Sequence, residues 1–116
     1  MSRAARSVFI FGVYLAGTAV ALILTPNTLL GLLRVAPTSE PWIHVLGVVV
    51  LSLAAYYITA ARAESVAFFR ASVWVRLMVL VGFTGLAAAA VAPPTLIGFG
   101  VVDALGALWT WSALRG

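Results

Sequence analysis

An aspartate stands inside an apolar run at Val101-Val102-Asp103-Ala104-Leu105, and an arginine stands inside another at Val73-Trp74-Val75-Arg76-Leu77. These two side chains carry the most chemistry. An acid in hydrocarbon costs about 2.5–3.5 kcal/mol on an insertion scale, so it turns toward protein or a watery cavity and finds a partner. Asp103 therefore either ties neighbouring helices together by hydrogen bonds or handles protons or a ligand. Arg76 either pairs with Asp103 or extends its stem toward the headgroups. Thr18 and Ser52 fall at a similar depth to Asp103, with Tyr14 one turn from Thr18 on the same face. These hydroxyls either form a thin polar layer with Asp103 or bond their own backbone and neighbouring helices. Glu40 and His44, spaced i and i+4, are either a pH-sensitive pair or an interfacial histidine beside a capping acid.

Other chemistries are excluded by composition. The chain has no cysteine and a single histidine, which removes disulfides, thiolate metal sites and thiol catalysis. One histidine cannot assemble a histidine-based metal site within one chain. No metal or cofactor is expected.

The elements that must position Asp103 and Arg76 are four apolar stretches, Ser7–Thr25, Trp42–Ala61, Ala71–Ala92 and Thr95–Leu114. A bilayer core about 30 Å thick takes roughly 20 helical residues to cross. Hydrophobic residues make up 64% of the chain and charged residues 9%, against about 25% charged in soluble domains. The expectation is an all-α membrane protein, one domain over residues 1–116, built as an antiparallel bundle of four transmembrane helices. Arg3, Arg6 and the apolar run to Ala19-Val20-Ala21 resemble a signal peptide, but the run continues unbroken and reads as the first membrane helix.

The net charge of +4 comes from seven arginines against three acids. Topology explains it, and no nucleic-acid partner is expected. Arg3, Arg6, Arg62, Arg70 and Arg115 flank one side of the spans, and Arg34 lies on the other. By the positive-inside rule, both termini are cytoplasmic, in a bacterial inner membrane. Trp74, Trp109, Trp111, Tyr56 and Tyr57 near the inner ends and Trp42 at an outer end fit an interfacial aromatic belt.

Pro26 breaks the first helix, and Leu29, Leu30, Leu32 and Leu33 after it predict a short helix on the outer surface. Thr38 or Ser39 is expected to cap the second span, with Glu40 near the positive end of its dipole. Pro93-Pro94 predicts a very tight hairpin that makes the last two spans neighbours. On that geometry Arg76 lies about 9 Å past Arg70 and Asp103 about 14 Å past Pro94, leaving a gap of about 7 Å along the axis. Pro26-Asn-Thr-Leu-Leu-Gly31 and Pro93-Pro-Thr-Leu-Ile-Gly98 echo each other faintly, as a duplicated hairpin would. Gly12, Ala16, Gly17, Gly82, Gly85, Ala89, Gly98 and Gly106 predict close helix approach.

The run Glu40-Pro-Trp-Ile-His-Val-Leu-Gly47, with Tyr56-Tyr57, Ala60-Ala61-Arg62, Phe68-Phe69-Arg70, Arg76 and Asp103-Ala-Leu-Gly-Ala-Leu-Trp109-Thr110, resembles a group of small bacterial four-helix membrane proteins of unassigned function. The resemblance spans nearly the whole chain and implies no activity. Size and span number also resemble the small multidrug resistance transporters, which use a glutamate in the first helix. Here the first span has no acid.

Three functions compete. The favoured one is a non-catalytic membrane protein, either an accessory subunit for a membrane partner or a binder of an apolar small molecule. The second is a proton-coupled transporter, dimeric, using Asp103. The third is a membrane enzyme acting on a lipid-soluble substrate, with Asp103, Arg76 or His44 as acid–base groups.

Overall fold

A computed structural model describes residues 1–116 as an all-helical protein of five helices. They are α1 (Arg3–Leu24), α2 (Pro26–Leu32), α3 (Trp42–Arg62), α4 (Val66–Ala88) and α5 (Leu96–Arg115). All but α2 are long and apolar enough to cross a membrane.

The short helix after Pro26 forms as expected, with the proline in its first turn. Helix boundaries elsewhere depart from the apolar runs, because caps rather than hydropathy end a helix. Ser2 starts α1 early, its hydroxyl accepting from the Ala5 N–H at 3.0 Å. Ser65 does the same for α4 through the Phe68 N–H, so this helix begins at Val66 and not at Ala71. Arg70 then belongs to the second turn of α4, and the connection from α3 is only residues 63–65. At the other end α4 stops at Ala88, short of Ala92. The stop is a left-handed Ala90 (φ 59°) with Val91 N–H bonded to Leu86 C=O and Ala90 N–H to Ala87 C=O. Arg34 and Glu64 end α2 and α3 in the same way. This motif usually takes glycine, which has no Cβ to crowd the following carbonyl. The prolines sit in a seven-residue turn between α4 and α5 (residues 89–95), looser than the expected hairpin. Neither Thr38 nor Ser39 caps α3, whose first turn follows Pro41 without a side-chain cap. The Thr38 hydroxyl instead accepts from the Glu40 N–H at 3.0 Å, inside the loop.

Packing is uneven. α1 lies along α3 and α4 along α5, contact between α1 and α5 joins the two pairs, and α3 and α4 scarcely touch despite their short link. The molecule is flat, 43 × 29 × 17 Å. The α1–α3 seam is the tightest. A Cβ on Gly12 would fall 3.1 Å from the Tyr57 Cβ, and one on Gly47 would fall 3.2 Å from the Ala19 carbonyl oxygen. Membrane helices gain stability from such close backbone approach, since lipid is as apolar as their side chains. Ala5, Val8, Phe11, Leu15, Ala54, Tyr57, Ala61 and Phe69 form the main core along this seam and onto α4. Of the glycines expected at contacts, Gly17, Gly82, Gly85 and Gly98 have nothing within 4 Å of where a Cβ would be.

Thr95 and Ser2 tie the ends. The Thr95 hydroxyl donates to the Leu33 carbonyl, fastening the end of α2 to the start of α5. The Ser2 N–H donates to Glu64 at 2.8 Å, fastening the N-terminus to the α3–α4 turn.

Candidate functional site

Arg76 is 1% exposed, the largest fully buried side chain of the molecule. Burying a cation costs several kcal/mol unless its donors are met, and here they are met mostly by hydroxyls. Its own helix supplies the first partners. Ser72, one turn back, receives Nε at its carbonyl (3.1 Å) and Nη2 at its hydroxyl (3.0 Å). The neighbour α5 supplies the next, Thr110 Oγ1 accepting from Nη2 at 2.9 Å. Ser7 on α1 lies 2.8 Å from Thr110 Oγ1.

The proton positions in this cluster follow by elimination. Ser7 donates to the Ala4 carbonyl at 2.7 Å, so its one hydroxyl proton is spent. Thr110 must then be the donor in the Thr110–Ser7 bond. The bonds run in one direction, from Arg76 Nη2 through Thr110 and Ser7 to the Ala4 carbonyl, linking α4, α5 and α1. Bonds aligned this way polarise one another and strengthen. Ser72 likewise spends its proton on the Phe69 carbonyl at 2.8 Å.

Aromatic rings close the other side. The guanidinium carbon lies 4.8 Å from the Phe11 ring centre and 5.6 Å from that of Tyr57, and each ring offers its negative face to the cation. Phe11 contacts Tyr14 and Tyr57, and Phe68 meets Tyr57 edge-on at 5.1 Å. One donor is left over. Arg76 Nη1 is buried and has no partner. It lies 3.1 Å from the point where a Cβ on Gly106 would stand, and the Phe11 ring lies 2.9 Å from the same point, so a side chain there would crowd both.

Arg76 therefore takes neither course expected of it. It does not reach for headgroups, and its hydrogen bonds go to Ser72 and Thr110 rather than to Asp103. Depth does not explain the miss: with α4 starting at Val66, Arg76 lies about 15 Å into its helix, and with α5 starting at Leu96, Asp103 lies about 10 Å into its own from the opposite end, which leaves the pair no further apart than expected. Ser72 explains it, offering acceptors on the same helical face at the spacing where side chains meet.

Asp103 is half-buried and lines a cavity of about 220 Å³. The other walls are Phe11 and Leu15 of α1, Leu53 and Tyr57 of α3, and a face of α4 from Phe68 to Val79 that includes Arg76. The cavity occupies the gap left where α3 and α4 diverge. No hydrogen bond reaches the Asp103 carboxyl, and Arg76 acts on it only through space.

The hydroxyl layer does not assemble. Thr18 donates to the Tyr14 carbonyl at 3.1 Å, and Ser52, exposed toward lipid, donates to the Val48 carbonyl at 3.1 Å. Tyr14 packs on Phe11 instead. Glu40 and His44 do not pair either. Nδ1 of His44 lies 2.8 Å from the Ile23 carbonyl, tying α3 to the end of α1.

Ser7 and Ser72 are absent from the expected site. Ser72 had a usable signal, since a hydroxyl four residues before a membrane-buried arginine can satisfy it. Ser7 had none, because its partner is 103 residues away. Compared with family models, curated proteins and solved structures, the chain matches none of them. By length and composition, the four long helices are those of a multi-pass membrane protein.

Proposed function

We propose that this protein is a non-catalytic membrane protein that binds an apolar small molecule in the cavity between α1, α3, α4 and α5. The carrying observation is the cavity itself. It sits where two helices joined by three residues fail to pack, and eight of its eleven lining residues are hydrophobic. Small-molecule sites have this character, an apolar wall with few polar groups to set orientation. The buried guanidinium supports the reading, since its hydrogen bonds hold α4 to α5 and leave the gap to α3 open. In this reading the four long helices form an antiparallel bundle in a bacterial inner membrane, with α2 outside and both termini cytoplasmic.

A photoactivatable apolar probe tests the binding. Saturable labelling at Leu53 and Val79, lost in Val79→Trp, is the expected result. Uniform, unsaturable labelling of the lipid-facing surface overturns it. The absence of cysteine makes the topology separately testable with Gly116→Cys and Ser39→Cys. Labelling of position 116 by an impermeant reagent from outside overturns the orientation.

A second reading draws on the unbonded Asp103 carboxyl. An intramembrane acid facing a cavity suits a proton-coupled transporter. Proton uptake coupled to efflux of an apolar cation from proteoliposomes, abolished by Asp103→Asn, supports that reading over simple binding.

A further inference from the structure

A cleft of about 290 Å³ opens between α4 and α5, at the end of the molecule where Gly116 lies against Arg3. It shares no lining residue with the cavity of Asp103. Two contacts fix the register of its helices. Arg76 bonds Thr110, and Leu80 lies against Gly100, so residue numbers rise along α4 as they fall along α5. That register sets like beside like. Arg70 and Trp74, one turn apart on α4, stand across from Arg115 and Trp111, one turn apart on α5. Val73, buried, and Leu114, half-buried, complete the lining.

The tryptophans set the depth. Trp74 is 71% exposed and Trp111 45%, and tryptophan exposed on a membrane helix favours the headgroup boundary. The arginines lie one turn, about 6 Å, beyond them toward the helix ends, at the level of lipid phosphates. No acid of the chain answers them. Glu40 precedes α3, Glu64 holds the Ser2 N–H, and Asp103 lines the other cavity. Gly116 turns the chain end toward Arg3, whose Nη1 lies 3.3 Å from where a Gly116 Cβ would stand. Two cations side by side repel, and an anion between them reverses the sign. Arg115 is already posed for one. Its guanidinium carbon stands 4.7 Å over the Trp111 ring centre, and stacking on a ring face leaves the in-plane N–H donors for a bidentate contact with phosphate. Basic pockets between membrane helices suit anionic headgroups.

We propose that this cleft binds an anionic phospholipid, its phosphate between Arg70 and Arg115, its glycerol region at Trp74 and Trp111, and an acyl chain over Met78 and Leu108. Met78 and Leu108 continue the two faces at helical spacing, and both are exposed. A zwitterionic headgroup brings its own cation to answer the phosphate, so the arginines select a lipid of net negative charge. The site is independent of whatever occupies the cavity beside Asp103.

The test uses the purified full chain in neutral detergent micelles with phosphatidylglycerol brominated on an acyl chain, bromine being a contact quencher of tryptophan fluorescence. Trp42→Phe with Trp109→Phe leaves Trp74 and Trp111 as the only tryptophans, so the emission comes from the cleft. The expected result is saturable quenching that plain phosphatidylglycerol relieves at least about tenfold better than phosphatidylcholine, a margin within what two arginines supply near anionic lipid. Arg70→Gln with Arg115→Gln abolishes the preference. Arg6→Gln with Arg62→Gln removes the same charge from exposed positions outside the cleft and keeps it. Quenching that does not saturate, or equal relief by the two lipids, overturns the proposal. So does a preference that both pairs of substitutions weaken alike, which belongs to the basic end as a whole and not to a site. Glycerol phosphate that relieves the quenching as well as phosphatidylglycerol does overturns the lipid as occupant in favour of a soluble phosphate. The comparison of competitors in the wild-type chain decides the matter even if a variant fails to fold.

Discussion

Replacing Thr110 by valine keeps the shape of the side chain and removes only its hydroxyl. Thr110 is 0% exposed and serves two groups, accepting from Arg76 Nη2 at 2.9 Å and donating to Ser7 at 2.8 Å. The cavity contribution is near zero, so the loss measures polar satisfaction alone. Arg76 already has Nη1 without a partner, and the substitution strands a second donor on the same cation. Hydrogen bonds to charged groups contribute about 1.5–3 kcal/mol, whereas neutral interhelical bonds in membranes average about 0.6 kcal/mol. The expected loss for Thr110→Val is about 2–3 kcal/mol, read as reversible unfolding in mixed micelles followed by circular dichroism. In Arg76→Met the cation is gone, so adding Thr110→Val to it costs at least about 1 kcal/mol less than in the wild type, a coupling typical of groups in one network. A loss under about 0.6 kcal/mol, with additive single and double variants, refutes the account of Arg76 as a cation held by hydroxyls.

Asp103→Asn changes stability by less than about 1 kcal/mol, because it removes no hydrogen bond and Arg76 keeps its own partners; the same unfolding assay checks it, and a loss of 3 kcal/mol or more, about the cost of breaking a buried ion pair, restores a direct pairing. Gly12→Val overpacks the α1–α3 seam against Tyr57 and costs about 1–3 kcal/mol, whereas Gly82→Ala, with open space around it, is neutral or stabilising by about 0.5–1 kcal/mol; equal effects on thermal stability contradict the packing described. The Ser2 hydrogen bonds hold the exposed Glu64 carboxylate below its ordinary pKa of 4.5. A depressed acid stabilises the fold above that ordinary value and loses its contribution as pH falls through the lowered one. The Ser2 amide resonance therefore titrates below 4.5 and is flat in Glu64→Gln; a midpoint at or above 4.5 rules the contact out.

Much of the architecture is legible in hydropathy. The four long helices follow from four apolar runs, and Pro26 with the leucines after it marks α2. Helix ends were harder, because Glu64-Ser65 reads as a charged loop until the serine is recognised as a cap, and Ala90 stops α4 in a conformation alanine gives no sign of. Depth along a helix is readable only to about a turn, because the caps move its start, and the face on which a side chain finds its partner is not readable at all. Arg76 and Asp103 stand out in the sequence as charges within apolar runs, yet their expected bond does not form, since Arg76 bonds Ser72 and Thr110. The glycines make the same point. Gly47 contacts α1 and Gly82 contacts nothing, though both lie in similarly apolar surroundings.

Only 23 of the 116 residues are buried. At the exposed positions of the long helices the arbiter of a side chain is lipid, which accepts one apolar group as readily as another. Such a protein is free to drift in sequence at those exposed positions, held to particular residues along the α1–α3 seam, where Gly100 meets Leu80 between α4 and α5, and around the caged guanidinium. Two descendants can lose nearly all overall likeness and still share a sparse signature, Ser7, Gly12, Gly47, Ser72, Arg76 and Thr110 at these separations. Kinship among proteins of this build is then to be sought in that skeleton of constrained positions, scattered across the full length of the chain, rather than in the extent to which two sequences agree.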